Sequence, residues 1–132
     1  MSQESVKIVA RVLEEFIVNR QASRELAPNF VWDMTTFRGW PDQPIFYGPE
    51  GFSEFLRAWI GPYDDWSMAV EEILSTPGGV LAILAQRGRL RGSQADVHLR
   101  YGQVYTVEDG RVRRVKVYRT AEEALEAVGL RE

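Results

Sequence analysis

The only histidine of the chain, His98, lies in the segment Asp96-Val97-His98-Leu99-Arg100-Tyr101. A neutral imidazole can accept a proton near neutral pH, and neighbouring positive charge favours the neutral form that a base requires. Arg100 could polarise an oxygen atom of a bound molecule. His98 and Arg100 are therefore candidate catalytic residues for a proton transfer.

The orientation of His98 depends on which face of a strand it occupies. Side chains alternate along a strand, so Asp96, His98, Arg100 and Gly102 share one face of the predicted strand 95–107. A loop over 92–95 would set three arginines of the preceding strand opposite them: Arg91, Arg89 and Arg87. Two interpretations follow. Either this polar face is solvated or lies at a dimer contact, because unpaired polar groups are costly to bury, or it lines a cavity.

Asp33 is a third candidate for chemistry, in a predicted strand directly after Val31 and Trp32. A carboxylate in an apolar cavity can act as a base near neutral pH. The alternative is structural: Asp33 caps a turn or pairs with an arginine. The sequence alone leaves both roles open.

The sequence lacks the residues and motifs that metal, cofactor or nucleic-acid binding would require. The chain has no cysteine and one histidine, so we expect no metal site, and we expect no cofactor because no glycine-rich phosphate loop is present. A net charge of −3 and a pI near 5.3 argue against nucleic acid as a partner. The sequence shows neither a secretory signal nor an apolar run of membrane-spanning length, so we expect no membrane association and a cytoplasmic protein.

Hydrophobic periodicity predicts the elements that position these residues. Val6, Val9 and Phe16 recur at helical spacing in a first helix, and Pro28 should end a short second one. The predicted helices cover the first twenty residues, 23–26, 49–60 and 121–128. The predicted strands cover 30–37, 66–75, 80–91, 95–107 and 111–119, with a loop over 38–49. This order favours one α+β domain over 1–132, with helices covering one face of a curved sheet.

One predicted strand is apolar on both faces. In Val80-Leu81-Ala82-Ile83-Leu84-Ala85 both alternating sets of side chains are hydrophobic, which is typical of a strand buried on two sides. Helices can cover one side. We therefore expect a homodimer in which a partner subunit covers the other side of the sheet.

The order of elements and several local phrases resemble the SnoaL-like family of the nuclear-transport-factor-2-like superfamily. The phrases are PNFVWDM, YGPEGFSEFLRAW, RGRLRGS, VYTVEDGRVRRVKVYRT and AEEALEAVGL, which together span nearly the whole chain. The resemblance implies a cone-shaped, curved antiparallel sheet with the N-terminal helices on its concave face, as in a cystatin-like roll. It also implies a small apolar cavity between them, usually in a dimer.

The same resemblance suggests possible activities, but this chain lacks several of the acidic residues that carry those activities in the relatives. Relatives include polyketide cyclases, ketosteroid isomerases, dehydratases and epoxide hydrolases, and in the isomerases the region of Asp33 carries the proton-shuttling carboxylate. Gly102 aligns near the isomerases' inward-pointing oxyanion-binding acid, while Val117 and Thr120 stand where many relatives have acids. The familiar isomerase and cyclase mechanisms are therefore in doubt.

The expected pocket is lined mainly by aromatic residues, which suit a small, mostly apolar organic ligand. The predicted lining is Trp32, Trp40, Phe46, Trp59, Gly102 and Val117. One hypothesis is an enzyme of isomerisation, cyclisation or dehydration, with Asp33 as base and His98 or Arg100 polarising an oxygen. The alternatives are a non-catalytic ligand binder that has lost the family's acids, or an interaction module that uses the outer sheet face.

Overall fold

The computed structural model describes residues 2–41 and 43–130, which form three helices and six strands. The helices are α1 (Ser2–Asn19), α2 (Gly48–Ile60) and α3 (Ala121–Ala127). The strands are β1 (Leu26–Asp33), β2 (Ile45–Tyr47), β3 (Tyr63–Thr76), β4 (Gly79–Leu90), β5 (Asp96–Glu108) and β6 (Arg111–Tyr118). None of the helices in the described part of the chain has the length and hydrophobicity needed to cross a bilayer. The predicted α+β class is confirmed.

Local sequence explains most of these boundaries, and one predicted helix is wrong. Residues 23–26 form a turn rather than a helix, because the Ser23 hydroxyl accepts a hydrogen bond from the Glu25 backbone N–H at 3.0 Å. Such a side-chain turn competes with helical hydrogen bonding. β1 then begins at Leu26 and ends at Asp33, earlier than predicted. The predicted loop over 38–49 includes β2 and the start of α2, and its residue 42 lies outside the described residues.

The six strands form one sheet in the order β2-β1-β6-β5-β4-β3. The pairs are antiparallel, as predicted, with the exception of β1 and β6, which run parallel. The predicted register of β4 and β5 is wrong by two residues, since Arg87 lies opposite His98 and Arg89 opposite Asp96. A shift of two residues preserves which face each side chain occupies.

Helices α1 and α2 pack on one face of the sheet, which we call the inner face. They enclose the main hydrophobic core together with inward side chains of the central strands, among them Val80, Leu84 and Val115. α1 presents Val9, Val12, Phe16 and their neighbours at helical spacing. Pro49 lies in the first turn of α2, where a missing backbone N–H costs nothing.

The C-terminal helix α3 packs on the opposite face, which we call the outer face. It buries Leu81 and Ile83 of β4 against Ala121, Ala124 and Val128 in a second, smaller core. Leu81 and Ile83 are both almost completely buried within the single chain. The second apolar face of β4 was the reason for expecting a partner subunit, and a helix of the same chain covers Leu81 and Ile83 on that face. The homodimer itself stays a prediction.

Candidate functional site

The space between the inner face, α1 and α2 contains a connected cluster of aromatic rings. Phe55 of α2 lies at its centre, with ring centroids 4.6 Å from Trp32, 5.6 Å from Trp40, 5.6 Å from Phe46 and 5.5 Å from Trp59. The four partners are the aromatic residues predicted to line a pocket. That they enclose a ligand stays a prediction.

Three polar side chains meet inside this aromatic interior. The Gln86 carbonyl oxygen accepts a hydrogen bond from the Trp59 indole N–H at 2.8 Å and lies 3.4 Å from the Tyr101 hydroxyl. The Tyr101 hydroxyl also lies 3.1 Å from the Met68 sulfur. Gln86 and Tyr101 point inward because they share a strand face with Leu84 and Leu99 respectively. The group fixes the Trp59 ring against the sheet.

Three further donors in the inner core have no protein partner among the described residues: the Gln103 amide and the indole N–H groups of Trp32 and Trp66. The Gln103 side chain is completely buried, and its carbonyl oxygen accepts a hydrogen bond from the Tyr105 hydroxyl at 2.6 Å, but its amide nitrogen is unpaired. The Trp32 indole nitrogen is likewise buried and unpaired. Unpaired buried donors are uncommon because each one costs about 1–3 kcal/mol. The Gln103 amide and the Trp32 indole therefore both lack an acceptor among the described residues.

The interior tyrosines remain neutral over the physiological pH range. Burial raises the pKa of the Tyr101 hydroxyl, which the Trp59 contact only partly offsets, and burial raises the pKa of the Tyr105 hydroxyl in the same way. Asp33 is the only charged side chain that is buried in the described part of the chain, and it lies on the other face of the sheet. The interior groups can therefore donate and accept hydrogen bonds without carrying charge.

Asp33 is held on the outer side of β1, away from the aromatic interior. One carboxylate oxygen pairs with Arg114 of β6. The other accepts hydrogen bonds from the Thr35 backbone N–H at 2.8 Å and the Thr35 hydroxyl at 2.6 Å. Strand alternation explains the placement, because the preceding residue Trp32 faces inward. The structure therefore gives Asp33 both structural roles considered from the sequence, and it corrects the expectation that Asp33 enters the cavity.

His98 and Arg100 also lie on the outer face, and both side chains are exposed. Their strand neighbours Leu99 and Tyr101 face the core instead. Arg100 pairs with Glu71 at 2.7 Å on the surface. The interpretation that places His98 in the cavity is wrong, and so is a proton-transfer site built from Asp33 and His98 in one enclosed pocket. The exposure of His98 and Arg100 in the single chain agrees with the alternative interpretation, in which this face is solvated or lies at a dimer contact.

Gly102 and Val117, both predicted to line the pocket, lie on opposite faces of the sheet. Val117 is buried in the inner core, and that it lines a pocket stays a prediction. Gly102 faces α3 on the outer side, where a β-carbon would overlap the Ala124 methyl group. The expectation that Gly102 lines the pocket is wrong, because its close approach to α3 uses the opposite face of β5.

Sequence reasoning missed the glutamines that the structure places inside. Gln86 and Gln103 each occupy an inward position in a strand whose other inward residues are apolar or aromatic. A polar side chain in the apolar alternation of a central strand was the signal that could have identified them. Phe52 and Phe55 recur at helical spacing in the predicted helix 49–60, but their central place in the ring cluster depends on the docking of α2.

No metal site emerges from the described residues, since no group of three or more His, Asp or Glu side chains converges there. The interior offers nitrogen donors and neutral oxygen atoms from glutamine, tyrosine and tryptophan. Such groups suit a neutral or weakly polar organic molecule better than a cation.

Comparison with known proteins agrees with this architecture. The sequence profile of the SnoaL-like domain matches residues 21–115. No curated protein matches the sequence. The structure of TerC co-crystallised with polyporic acid has a TM-score of 0.74 at 15% identity, covering 95% of this chain and 98% of that chain.

Two further solved structures share the fold. A protein described as LEH-like epoxide hydrolase from M. tuberculosis has a TM-score of 0.64 at 15% identity, covering 96% of this chain and 90% of that chain. An NTF2-like protein from Anabaena variabilis ATCC 29413 has a TM-score of 0.70 at 14% identity, covering 89% and 90%. At these identities the likeness establishes the fold.

Proposed function

The chain belongs to the SnoaL-like domain family, and we propose that it binds a small, mostly apolar organic molecule between α1, α2 and the inner face of the sheet. The ring cluster around Phe55 supplies the apolar walls. The Gln103 amide and the Trp32 indole supply the polar anchors. A neighbour with this fold was co-crystallised with polyporic acid.

The observation that carries the proposal is the pair of unpartnered donors at Gln103 and Trp32. Burying an N–H group without an acceptor is unfavourable, and a bound oxygen atom would remove that penalty. The Gln103 carbonyl is already occupied by Tyr105, which fixes the amide so that its nitrogen remains the free end. We infer that the ligand carries at least one acceptor oxygen, such as a carbonyl.

Non-catalytic binding agrees with the geometry better than proton transfer does. The three residues proposed for catalysis, Asp33, His98 and Arg100, all lie on the outer face. General acid–base catalysis requires a titrating group within hydrogen-bond reach of the reacting atom. In the described part of the chain, the inward polar groups are amides, indoles and phenols that stay neutral.

Matched probes test the proposal. Acetonaphthone and ethylnaphthalene have similar apolar rings, but only acetonaphthone carries a carbonyl acceptor. We expect calorimetric titration to show saturable binding of acetonaphthone, tighter by about tenfold than that of ethylnaphthalene. Native mass spectrometry of the freshly purified protein would identify any co-purified molecule. Equal affinity for the two probes would contradict the role of the donors, and failure of both to bind would contradict the proposed ligand class.

A homodimer through the outer face is a second proposal, supported by the family resemblance. The part of this face that α3 leaves uncovered carries Ala69 and Ala85 between charged residues. Flat sheet surfaces with small residues allow two sheets to approach closely. Sedimentation velocity at micromolar concentration should give a dimer, and a monomer throughout that range would contradict the proposal.

A further inference from the structure

A surface groove lies on the helical side of the molecule, between the end of α1 and helix α2. It has a volume of about 390 Å³. The four lining residues that belong to α2 recur at helical spacing, so they form one stripe along that helix. We call this site the helix groove. Its lining residues are Arg20, Ser53, Leu56, Arg57, Ile60 and Gly61.

The guanidinium group of Arg20 is held in place at the end of α1 by groups other than carboxylates. It donates hydrogen bonds to the backbone carbonyl oxygens of Ile17 and, at 3.2 Å, of Trp66. It also lies 4.6 Å from the centroid of the Trp66 ring, whose face attracts a cation. A guanidinium carries more N–H donors than these two hydrogen bonds use. Arg20 can therefore donate to a further acceptor without leaving its position.

Neither Arg20 nor Arg57 forms an ion pair in the described part of the chain. All ion pairs found there involve other arginines. No carboxylate is among the described residues that line the groove, and the acidic residues of α2 are exposed outside the lining. Asp64 and Asp65 follow the groove in sequence, but each pairs with another arginine. The two guanidinium groups therefore leave the groove positively charged.

The ends of two helices oppose this charge only in part. α1 ends at Asn19 and α2 at Ile60, and a helix C-terminus carries about half a negative charge. Each arginine carries a full positive charge, so roughly one positive charge remains at the groove. The end of α2 is weakened further, because the Gly61 carbonyl accepts a hydrogen bond from Arg91 at 2.7 Å.

The groove also offers apolar surface, from Leu56 and Ile60 on the same stripe of α2. A ligand that fits both features has an anionic end and an apolar body. A carboxylate suits the anionic end, because a guanidinium binds its two oxygens in a planar, charge-assisted geometry.

We propose that the helix groove binds a small organic carboxylate, which pairs with Arg20 and Arg57 and packs its apolar part on Leu56 and Ile60. This site is separate from the proposed interior site. It uses none of the interior donors and does not depend on the ring cluster around Phe55.

Calorimetric titration of the full chain with hydrocinnamate tests the proposal. We expect saturable binding that weakens by at least about tenfold in Arg57→Gln, because this variant removes a charge-assisted pair. Lys7→Gln is the matched control, since it removes the same charge from an exposed position near the other end of α1. Its affinity should stay within about twofold of the parent.

Uncharged phenylpropanol and cationic phenylpropylammonium share the apolar part of hydrocinnamate. Both should bind at least about tenfold more weakly. Equal losses in Arg57→Gln and Lys7→Gln, equal binding of phenylpropanol, preference for phenylpropylammonium, or no binding of hydrocinnamate would each overturn the proposal. Thermal unfolding of both variants verifies that they fold.

The interior variant Gln103→Leu separates this site from the proposed interior site. The hydrocinnamate affinity should stay within about twofold of the parent in Gln103→Leu and in the presence of saturating acetonaphthone. Loss of hydrocinnamate binding in Gln103→Leu, with full binding in Arg57→Gln, would place the probe in the interior and overturn the groove site. The two sites can therefore fail independently.

Discussion

Gly102 of β5 lies directly against Ala124 of α3, so close that a β-carbon at position 102 would overlap the Ala124 methyl group. This contact fixes the face of β5 on which position 102 lies. The absence of a side chain at Gly102 is therefore a packing requirement of the outer face. The inward positions on either side belong to Tyr101 and Gln103.

Gly102→Ala should destabilise the protein by about 1–3 kcal/mol, because the added methyl group overpacks the contact with α3. Urea denaturation measures the loss. In the double variant with Ala124→Gly the overlap disappears, so the two substitutions should couple favourably despite the helix cost of glycine. Strict additivity of the two free energies would contradict the contact.

Local patterns predicted the long elements because each has a clear period. The helical spacing of Val9 and Phe16 and the strand patterns of 95–107 and 111–119 depend on neighbours in sequence. Helix α1 and strands β5 and β6 form close to the predicted positions. The short helix over 23–26 failed because the Ser23 side chain offers the backbone a competing hydrogen bond.

The side of the sheet that each residue faces could not be predicted from the sequence. Alternation separates His98 from Leu99, but both sets of β5 become partly buried because α3 covers the outer face near Gly102. The docking of α3 is a tertiary event, so local pattern alone could not decide whether His98 points inward. For the same reason, the sequence could not decide whether the Asp33 side chain enters the cavity or faces the other side of the sheet.

Asp33→Asn should cost about 1–3 kcal/mol of unfolding free energy, because it breaks the pair with Arg114 at a site where Asp33 is almost fully buried. Arg114 is 40% exposed, so solvent limits the penalty for leaving it unpaired. The matched control is Glu71→Gln, which breaks the exposed pair with Arg100 and should cost less than about 1 kcal/mol. Equal losses in the two variants would contradict the structural role of Asp33.

Stability should fall as the pH rises above about 10, where tyrosine ionises in the unfolded chain. Burial raises the pKa of Tyr101 and Tyr105, so the folded state retains two protons that the unfolded state loses. Below this pH both states are protonated and these residues cause no pH dependence. Urea denaturation across this range measures the slope, and Tyr105→Phe should reduce it. An unchanged slope in that variant would refute the burial of Tyr105.

Tyrosinate absorbance after a rapid jump to high pH provides a second check. The signals of Tyr101 and Tyr105 should appear only at the rate of global unfolding, since both hydroxyls are enclosed in the core. Ionisation of all five tyrosines within the mixing time would show that the interior is open to hydroxide.

The most direct test of a ligand site between the helices and the inner face compares acetonaphthone affinity in four variants by calorimetry. Gln103→Leu and Trp32→Phe each remove one unpaired interior donor, whereas Asp33→Asn and His98→Ala change residues on the outer face. We predict that the first two weaken binding by about tenfold and that the last two leave it within about twofold of the parent. Loss of binding in Asp33→Asn or His98→Ala, with full binding in Gln103→Leu, would contradict an interior ligand site.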